Sequence, residues 1–280
     1  MRTIHVVERT LPVAWERAVI ACWSEGESFP TQYDKPEDPQ SRDVCAMIHI
    51  TEPLAEPRIH RAFPGGLEDL EKYRAEVLYG VHDHWIDPAA GKWEYTYHER
   101  LFEYDVPGLD KPINQIEQCV AMLRECGFTR RAQAVTWKAW EDVGITDPAC
   151  LQRMHFRVQN GRLNMNVHMR SNDAFKAAFM NMYAFIELQA EMARDLGVEV
   201  GSYCHIADSF HIYGSYFTEF DGFLKMVANR RPEDRVWDGN YGVPMFIEGC
   251  SALLVEPDMP EDKKNMVRAR KDYLHGLETI

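Results

Sequence analysis

The sequence predicts an α+β fold, and three neighbouring features in its middle support that prediction. Residues 154–158 and 163–169 alternate apolar and polar side chains with a period of two, which is typical of strands. Asn160-Gly161 lies between them and favours a two-residue hairpin turn, because both residues tolerate a positive φ. A long amphipathic segment and a further strand candidate follow. This order indicates a substantial, largely antiparallel sheet with helices packed on it.

The other elements follow from the same periodicities. Residues 25–42 contain clustered Gly, Pro, Asp and Ser residues and predict a long loop that could be a mobile functional segment, followed by a short apolar strand. Apolar residues recur at helical spacing over residues 67–78 and 112–126. No repeat, low-complexity stretch or linker divides the sequence, so we expect one catalytic domain over residues 1–280.

The long amphipathic segment is predicted to be a helix over residues 173–196. Gly197 is placed to end it in the left-handed conformation, and Ser171 or Asn172 is placed to cap its first turn. The strand candidate after it covers residues 198–206.

Composition excludes several classes of protein. The 280 residues carry a formal net charge of −13, which argues against nucleic-acid binding through bulk positive charge. No run of apolar residues is long enough to span a membrane, and the first residues lack the pattern of a signal peptide. The seven cysteines are scattered, without a Cys-x-x-Cys pair, which fits reduced thiols. We therefore expect a cytoplasmic protein.

Three groups of residues could carry chemistry on residue type alone. Arg130-Arg131 follows a turn, and a guanidinium suits phosphate, although a solvated pair is the simpler interpretation. Arg170, beside Ser171 at a predicted helix start, is a candidate anion site, with an ordinary surface arginine beside a cap as the alternative. Cys150 precedes Arg170 by about twenty residues. A nearby cation favours a thiolate, but most free cysteines are unreactive apolar residues.

Two histidine-containing segments add to these candidates. His82-Asp83-His84 could be half of a metal site, but no second group of ligands at suitable spacing completes it, so we expect no metal. Further along, alternation places His211 and Tyr213 on one face of a strand. Packing is the simpler interpretation of this pair, and recognition of a ligand hydroxyl is the more specific one.

Together these residues resemble the thymidylate synthase superfamily, which includes the pyrimidine nucleotide hydroxymethylases. The family pattern has an Arg-Arg pair, a nucleophilic cysteine about twenty positions later, and Arg-Ser-x-Asp about twenty further on. An asparagine and then His-x-Tyr complete it. In this sequence the pattern falls on Arg130, Arg131, Cys150, Arg170, Ser171, Asp173, Asn181, His211 and Tyr213. Chance is a poor explanation for this many matches at fixed spacing.

The resemblance implies a thymidylate-synthase-like fold: a large, mostly antiparallel or mixed sheet with packed helices, and a homodimer formed sheet to sheet. It implies that the Cys150 thiolate adds to C6 of a pyrimidine and that 5,10-methylenetetrahydrofolate supplies a one-carbon unit to C5. Arg170 and Ser171 would hold the nucleotide phosphate, with Arg130 and Arg131 reaching over from the other subunit. Such a shared site makes the homodimer obligatory.

The remaining roles follow from the same resemblance. Asn181 would read the base edge, and His211 with Tyr213 would bind a sugar hydroxyl. Asp173 would order water and the folate side of the pocket. Glu76 lies on a segment similar to the family's Glu-Leu-Leu-Trp helix and would be the general acid and base, with an exposed helix glutamate as the alternative.

Departures from the family pattern bear on the reaction. His82 stands where the family has a tryptophan, with Trp85 retained, and His98 lies in a segment that replaces the family's Tyr-Gly-Lys-Gln-Trp-Arg. Polar side chains in place of an aromatic wall should admit water, and hydroxymethylation requires a water where reductive methylation requires hydride from the folate. These histidines could instead belong to a divergent folate pocket. Arg42 is a weaker candidate for a further phosphate ligand.

The sequence thus predicts a folate-dependent hydroxymethylase acting on C5 of a pyrimidine nucleoside 5′-monophosphate. Thymidylate synthase proper, which methylates dUMP and yields dihydrofolate, is the alternative. A nucleotide- or RNA-binding relative without turnover is the third possibility, and retention of a cysteine at position 150 argues against it. Cytosine or uracil and ribose or deoxyribose stay open, because an asparagine amide can pair with either base.

Overall fold

The computed structural model describes residues 1–278, and its largest element is a mixed β-sheet. Eight strands belong to this sheet within the described residues, and six of them lie in the order β1-β3-β9-β7-β6-β5. β2 pairs with β3, β8 pairs with β9, and β4 and β10 form a separate small pair. The strands are β1 (Thr3–Glu8), β2 (Glu27–Phe29), β3 (Ser41–Ile50), β4 (Ile59–His60), β5 (Gln133–Val135), β6 (Leu151–Gln159), β7 (Arg162–Met169), β8 (Asn172–Asp173), β9 (Glu199–Ile212) and β10 (Val236–Trp237).

Helices pack against this sheet and give the molecule its α+β character. They are α1 (Leu11–Glu25), α2 (Leu67–Tyr79), α3 (Tyr97–Phe102), α4 (Gln115–Glu125), α5 (Ala178–Leu196), α6 (Phe217–Asn229), α7 (Val243–Leu254) and α8 (Glu261–Glu278). Among the described residues, three pairs of strands in the sheet are parallel: β1 with β3, β7 with β9, and β8 with β9. The other pairs in the sheet are antiparallel. The sheet is therefore mixed, which is one of the two forms that the resemblance implies.

The predicted hairpin and the end of the long helix are both confirmed. β6 and β7 pair antiparallel, and Asn160 and Gly161 have φ values of 53° and 72°, as a type I′ turn requires. Gly197 adopts φ 69° at the end of α5, where its N–H bonds the carbonyls of Ala193 and Arg194. In both places a local rule about positive φ decides the structure.

Three predicted boundaries are wrong. The loop over residues 25–42 is shorter, because residues 27–29 pair with residues 41–43 as β2 and β3. The long helix begins at Ala178 rather than Asp173, since Asn172 and Asp173 pair with β9 instead. Neither Ser171 nor Asn172 caps the helix, whose N-cap residue is Ala177. The strand after this helix is also longer than predicted and runs on to Ile212.

One face of the sheet is covered and the other is open within the described residues. α1 packs on β1, β3 and β9, and α5 packs on β7 and β9. Trp15 of α1 is fully buried against Phe175 and Phe179. On the opposite face Val7 of β1 and Met47 of β3 remain exposed.

Buried ion pairs fix α2, the helix that carries Glu76. The Arg74 guanidinium donates to Glu71 at 2.8 Å, and Arg270 of α8 donates to the same carboxylate at 3.1 Å. Arg74 also lies 3.7 Å from the carboxylate of Glu191 on α5. Removal of one member of such a buried pair costs about 3–5 kcal/mol, so these contacts define where α2 lies.

Candidate active site

A cavity of about 790 Å³ opens where the strands β7 and β9 end and β3 begins. The loop that follows β2 forms one wall, and the segment between β7 and α5 forms another. Seven of the residues predicted from the sequence line this cavity: Cys150, Arg170, Ser171, Asp173, Asn181, His211 and Tyr213. The fold thus brings together residues that are as much as about sixty positions apart in the sequence.

Arg170 holds the segment that carries Cys150. Its Nε donates to the carbonyl of Ala149 at 3.1 Å, Nη2 donates to the carbonyl of Pro148, and its backbone N–H bonds the Cys150 carbonyl at 2.8 Å. Burial raises the pKa of the Cys150 thiol, and the Arg170 cation opposes that shift. The arginine therefore both orients the sulfur and favours the thiolate that a nucleophile requires.

Asn181 lies on the first turn of α5, and its amide is held at both ends. Its Oδ1 accepts a hydrogen bond of 2.9 Å from Asn172 Nδ2, and its own Nδ2 donates to the Tyr73 hydroxyl. The Asn172 oxygen accepts in turn from His205 Nε2 at 2.8 Å. Burial lowers the pKa of His205 to about 3, so this imidazole is neutral near pH 7. Each amide atom of Asn181 keeps capacity for one further hydrogen bond, which suits the edge of a heterocyclic base.

Asp173 shares the cavity with these groups. Its Oδ1 accepts the backbone N–H groups of Phe175 at 3.1 Å and Lys176 at 2.9 Å. Burial outweighs these hydrogen bonds and raises the pKa of Asp173 to about 6. A carboxyl group with such a pKa can hold or release a proton close to neutral pH.

His211 is buried between two acidic residues at the end of β9. Asp43 of β3 lies opposite it on one side and Asp173 of β8 on the other. The Ser209 hydroxyl lies 3.1 Å from His211 Nδ1 and donates to Asp43 Oδ2 at 2.7 Å. Burial lowers the pKa of His211 to about 4, so its ring is neutral near pH 7. The His211 ring packs edge to face with the Tyr213 ring, and the ring centroids are 4.6 Å apart.

Glu76 lies outside the cavity lining but is connected to it. Its carboxylate accepts a hydrogen bond of 2.7 Å from His82 Nδ1. Glu76 also raises the pKa of Tyr73, whose hydroxyl bonds Asn181 in the cavity wall, although burial is the larger cause. Glu256, after α7, lies 3.4 Å from His82 Nε2 on the other side of the ring. The imidazole therefore stands between two carboxylates and fixes the position of the first.

The other predicted histidine and its neighbours serve different contacts. His98 is buried, pairs with Asp83 at 2.6 Å and stacks on Phe102 at 4.5 Å, so it faces away from the cavity. Trp85 stacks on His82 at 3.9 Å. His82, Trp85 and His98 are all absent from the cavity lining.

The remaining predicted arginines also lie away from the cavity of their own chain. Arg42 donates to the Gly26 carbonyl at 3.0 Å and lies 5.9 Å from the centre of the Trp23 ring. Arg130 and Arg131 are exposed just before β5. In the part of the chain that the structure describes, no group of three or more His, Cys, Asp or Glu residues is arranged to hold a metal ion. Among the same residues, no helix is apolar enough over sufficient length to cross a membrane.

Sequence reasoning missed several residues of this site. Ser209 lies two positions before His211, which is the spacing of residues on one face of a strand, so alternation could have identified it. Asp43 and Tyr73 carry no comparable signal, because only the pairing of β3 with β9 and the packing of α2 on α5 bring them to the site. Glu256 is far from His82 in the sequence, so spacing gives no signal for it either.

The comparisons with known proteins agree with this geometry. Residues 68–237 match the family described as "Thymidylate synthase". The chain belongs to the thymidylate synthase family. Among its relatives, a protein of Methanocaldococcus jannaschii named "Putative thymidylate synthase" is 34% identical over 195 residues, which cover 68% of this chain and 81% of that protein. A protein of the same name from Methanopyrus kandleri is 29% identical over 215 residues, which cover 76% of this chain and 94% of that protein.

A solved structure shows the same fold. The thermostable thymidylate synthase A from Bacillus subtilis superposes with a TM-score of 0.60 at 18% identity, over 76% of this chain and 83% of that one. The thymidylate-synthase-like α+β fold predicted from the sequence is therefore confirmed. Enzymes of the thymidylate synthase family are folate-dependent one-carbon transferases that act on a pyrimidine nucleoside monophosphate.

Proposed function

We propose that this thymidylate synthase family member hydroxymethylates C5 of a pyrimidine nucleoside 5′-monophosphate. The observation that carries the proposal is the convergence of Cys150, Arg170, Asn181 and His211 on one cavity. These residues supply a nucleophile, a cation for phosphate, an amide for a base edge and an acceptor for a sugar hydroxyl.

In the proposed reaction the Cys150 thiolate forms a bond to C6 of the base. The π electron pair of the C5–C6 double bond moves toward the C4 substituent, so C5 becomes a carbon nucleophile. Arg170 favours the thiolate, and Asn181 holds the base edge so that C6 faces the sulfur. After C5 has gained the one-carbon unit and lost its proton, the bond from that unit to the folate nitrogen would break and leave an exocyclic methylene on C5. A water oxygen then adds to this methylene carbon, and the Cys150–C6 bond breaks as the C5–C6 double bond forms again.

5,10-methylenetetrahydrofolate would supply the one-carbon unit. Near Glu76, Trp85 and Trp93 pack edge to face with their ring centroids 5.0 Å apart, and their exposed parts form an aromatic surface on which a flat heterocycle could lie. Two buried ring nitrogens of His84 lack a hydrogen-bond partner in the protein and could bind polar atoms of such a ring. We propose that His82, Trp85 and Trp93 hold the folate side of the site.

His82 is the reason for preferring hydroxymethylation to methylation. It places an imidazole against Glu76, and its Nε2 is buried without a protein hydrogen bond. Glu256 Oε2, 3.4 Å from this nitrogen, is also buried without a hydrogen bond, so a water bound to both atoms would be polarised by the Glu256 carboxylate. We propose that such a water attacks the one-carbon unit on C5. His98 offers no such site for a water, because its Nδ1 pairs with Asp83 and its ring stacks on Phe102. Reductive methylation of dUMP is the second candidate, and it would use the same cysteine.

We further propose that the working unit is a homodimer joined through the open face of the sheet. Val7 and Met47 on that face are exposed in the single chain. Arg130 and Arg131 are exposed and do not line the cavity of their own chain, so a partner's cavity would receive them. Two neighbouring guanidinium groups would complete the phosphate site that Arg170 begins.

One assay separates the two candidate reactions. Purified protein is incubated with methylenetetrahydrofolate and each of CMP, dCMP, UMP and dUMP, and both the nucleotide and the folate products are identified. The proposal predicts a 5-hydroxymethyl nucleotide and tetrahydrofolate in equal amounts. Dihydrofolate formed together with a 5-methyl nucleotide would contradict it and establish methylation instead.

A further inference from the structure

Asp43 and His211 line the cavity, and each has one buried side-chain atom without a hydrogen-bond partner. Asp43 Oδ1 and His211 Nε2 are both shielded from solvent, and neither forms a hydrogen bond within the protein. His211 is 5% exposed, and both residues line the cavity. Burial of an unpaired acceptor is unfavourable, so a ligand that donates to these atoms gains binding energy.

The chemical roles of both atoms follow from Ser209. A serine hydroxyl has one proton, and Ser209 donates it to Asp43 Oδ2, since a carboxylate can only accept. The contact between Ser209 Oγ and His211 Nδ1 must then run from Nδ1–H to the oxygen. The neutral ring of His211 is therefore protonated on Nδ1 and presents a lone pair on Nε2. Both free atoms are hydrogen-bond acceptors.

The sheet holds these two acceptors side by side. Asp43 and His211 are direct partners in the antiparallel pairing of β3 with β9, so their side chains share one face. Val44 pairs with Phe210 and Ala46 with Ala207, so β9 has one more residue than β3 between these two pairs. This β-bulge turns Ser209 toward Asp43, and its oxygen links the two side chains.

We propose that Asp43 determines sugar specificity and that the substrate is a ribonucleotide. Asp43 and His211 each accept a hydrogen bond from one hydroxyl of the ribose cis-diol. This inference rests on the proposed function, because it assumes that the cavity binds a nucleotide. A 2′-deoxyribose has one hydroxyl on this edge and would leave one buried acceptor unpaired. Asp43 lies outside residues 68–237, which match the thymidylate synthase family.

Calorimetric titration without folate tests the inference, because binding is then measured apart from turnover. The dissociation constants of CMP, dCMP, UMP and dUMP are compared for the unmodified protein, Asp43→Ala and the control Asp38→Ala. Asp38 also lines the cavity and carries the same charge, but it is not paired with His211. We expect the better ribonucleotide to bind at least about tenfold more tightly than its deoxy form, as loss of a hydrogen bond to a charged group implies.

In Asp43→Ala we expect ribonucleotide binding to weaken by about tenfold while deoxynucleotide binding stays unchanged, so that the preference disappears. Asp38→Ala should keep the preference. A deoxynucleotide that binds the unmodified protein as tightly as its ribonucleotide would overturn the inference and leave the proposed function standing. If none of the four nucleotides binds, the proposed function fails and the inference fails with it. Should Asp43→Ala not fold, the comparison in the unmodified protein decides the question.

Discussion

At the scale of single residues, the site works by controlling which groups are charged. Burial keeps His205 and His211 neutral and favours the thiol form of Cys150, with the Arg170 cation opposing this for the sulfur. Asp173 has its pKa raised to about 6 by burial. Burial sets the protonation states in which these groups would meet a ligand. It also costs free energy when no ligand is bound, because their polar atoms are shielded from water.

Asp173→Asn should stabilise the protein in a manner that depends on pH. The raised pKa means that the folded state holds the proton more tightly than the unfolded chain does. Protonated Asp173 therefore contributes its full share of the free energy of unfolding below about pH 4, and this contribution is lost as pH rises to about 6. Asparagine cannot ionise, and its amide oxygen can accept the same backbone N–H groups.

The measurement is the free energy of unfolding by urea at several pH values between 4 and 7. We expect the variant and the unmodified protein to be equal near pH 4, with the variant more stable by up to about 3 kcal/mol above pH 6. A difference that does not change with pH would show that ionisation of Asp173 carries no such cost.

At the scale of elements, the end of α2 fixes both Glu76 and the pair of Asp83 with His98. Gly80 closes the helix with φ 65°, and its N–H bonds the Glu76 carbonyl at 3.1 Å. A Cβ at this position would overlap the Asp83 carboxylate and the His98 ring. This glycine is therefore required for its conformation and also for the space it leaves.

Gly80→Ala should destabilise the protein more than Gly91→Ala, which serves as the matched control. Gly91 has φ 68°, and nothing lies within 4 Å of the position its Cβ would take. The control should cost about 1–2 kcal/mol for the left-handed conformation alone. Gly80→Ala should cost at least about 1 kcal/mol more, because the Asp83–His98 pair must also move. Equal losses in urea unfolding would mean that this pair does not constrain the end of α2.

At the scale of the whole molecule, the proposed dimer predicts that subunits can complement each other. Cys150→Ser should be inactive because it lacks the nucleophile, and the double variant Arg130→Ala/Arg131→Ala should be weakened because it cannot complete its partner's phosphate site. After the two are unfolded together and refolded, each mixed dimer has one site with both the cysteine and the arginines. Random pairing predicts recovery of roughly a quarter of the unmodified activity.

The control for this experiment mixes the two variants without unfolding, so that subunits do not exchange. Activity should then stay at the sum of the separate variants. If refolding together recovers no more than that sum, the arginines act within their own chain or not at all.

How much the sequence predicts depends on how local the cause of each feature is. The turn at Asn160-Gly161 and the helix end at Gly197 were predicted correctly, because positive φ is a property of the residue and its neighbours. The start of α5 was wrong, since pairing of Asp173 with β9 overrides the helical pattern there. The parallel pairing of β7 with β9 also has no local signature.

The candidate site shows the same division. Seven predicted residues line the cavity. They were predicted together because the family pattern gives them as one set. His98 was expected near water and instead pairs with Asp83, a contact made through the Gly80 turn that spacing does not reveal. Asp43 was missed because its importance arises from strand pairing and from a β-bulge, both of which depend on distant parts of the chain.

The central claim is that the Cys150 sulfur bonds to C6 and thereby makes C5 a nucleophile. The most direct measurement is release of tritium to water from pyrimidine nucleoside monophosphates labelled at C5, in the presence of methylenetetrahydrofolate, for the unmodified protein and for Cys150→Ser. We predict release that matches product formation in the unmodified protein and a loss of at least about a thousandfold in the variant, as removal of a covalent nucleophile implies. Tritium release at an unchanged rate from Cys150→Ser would contradict the account.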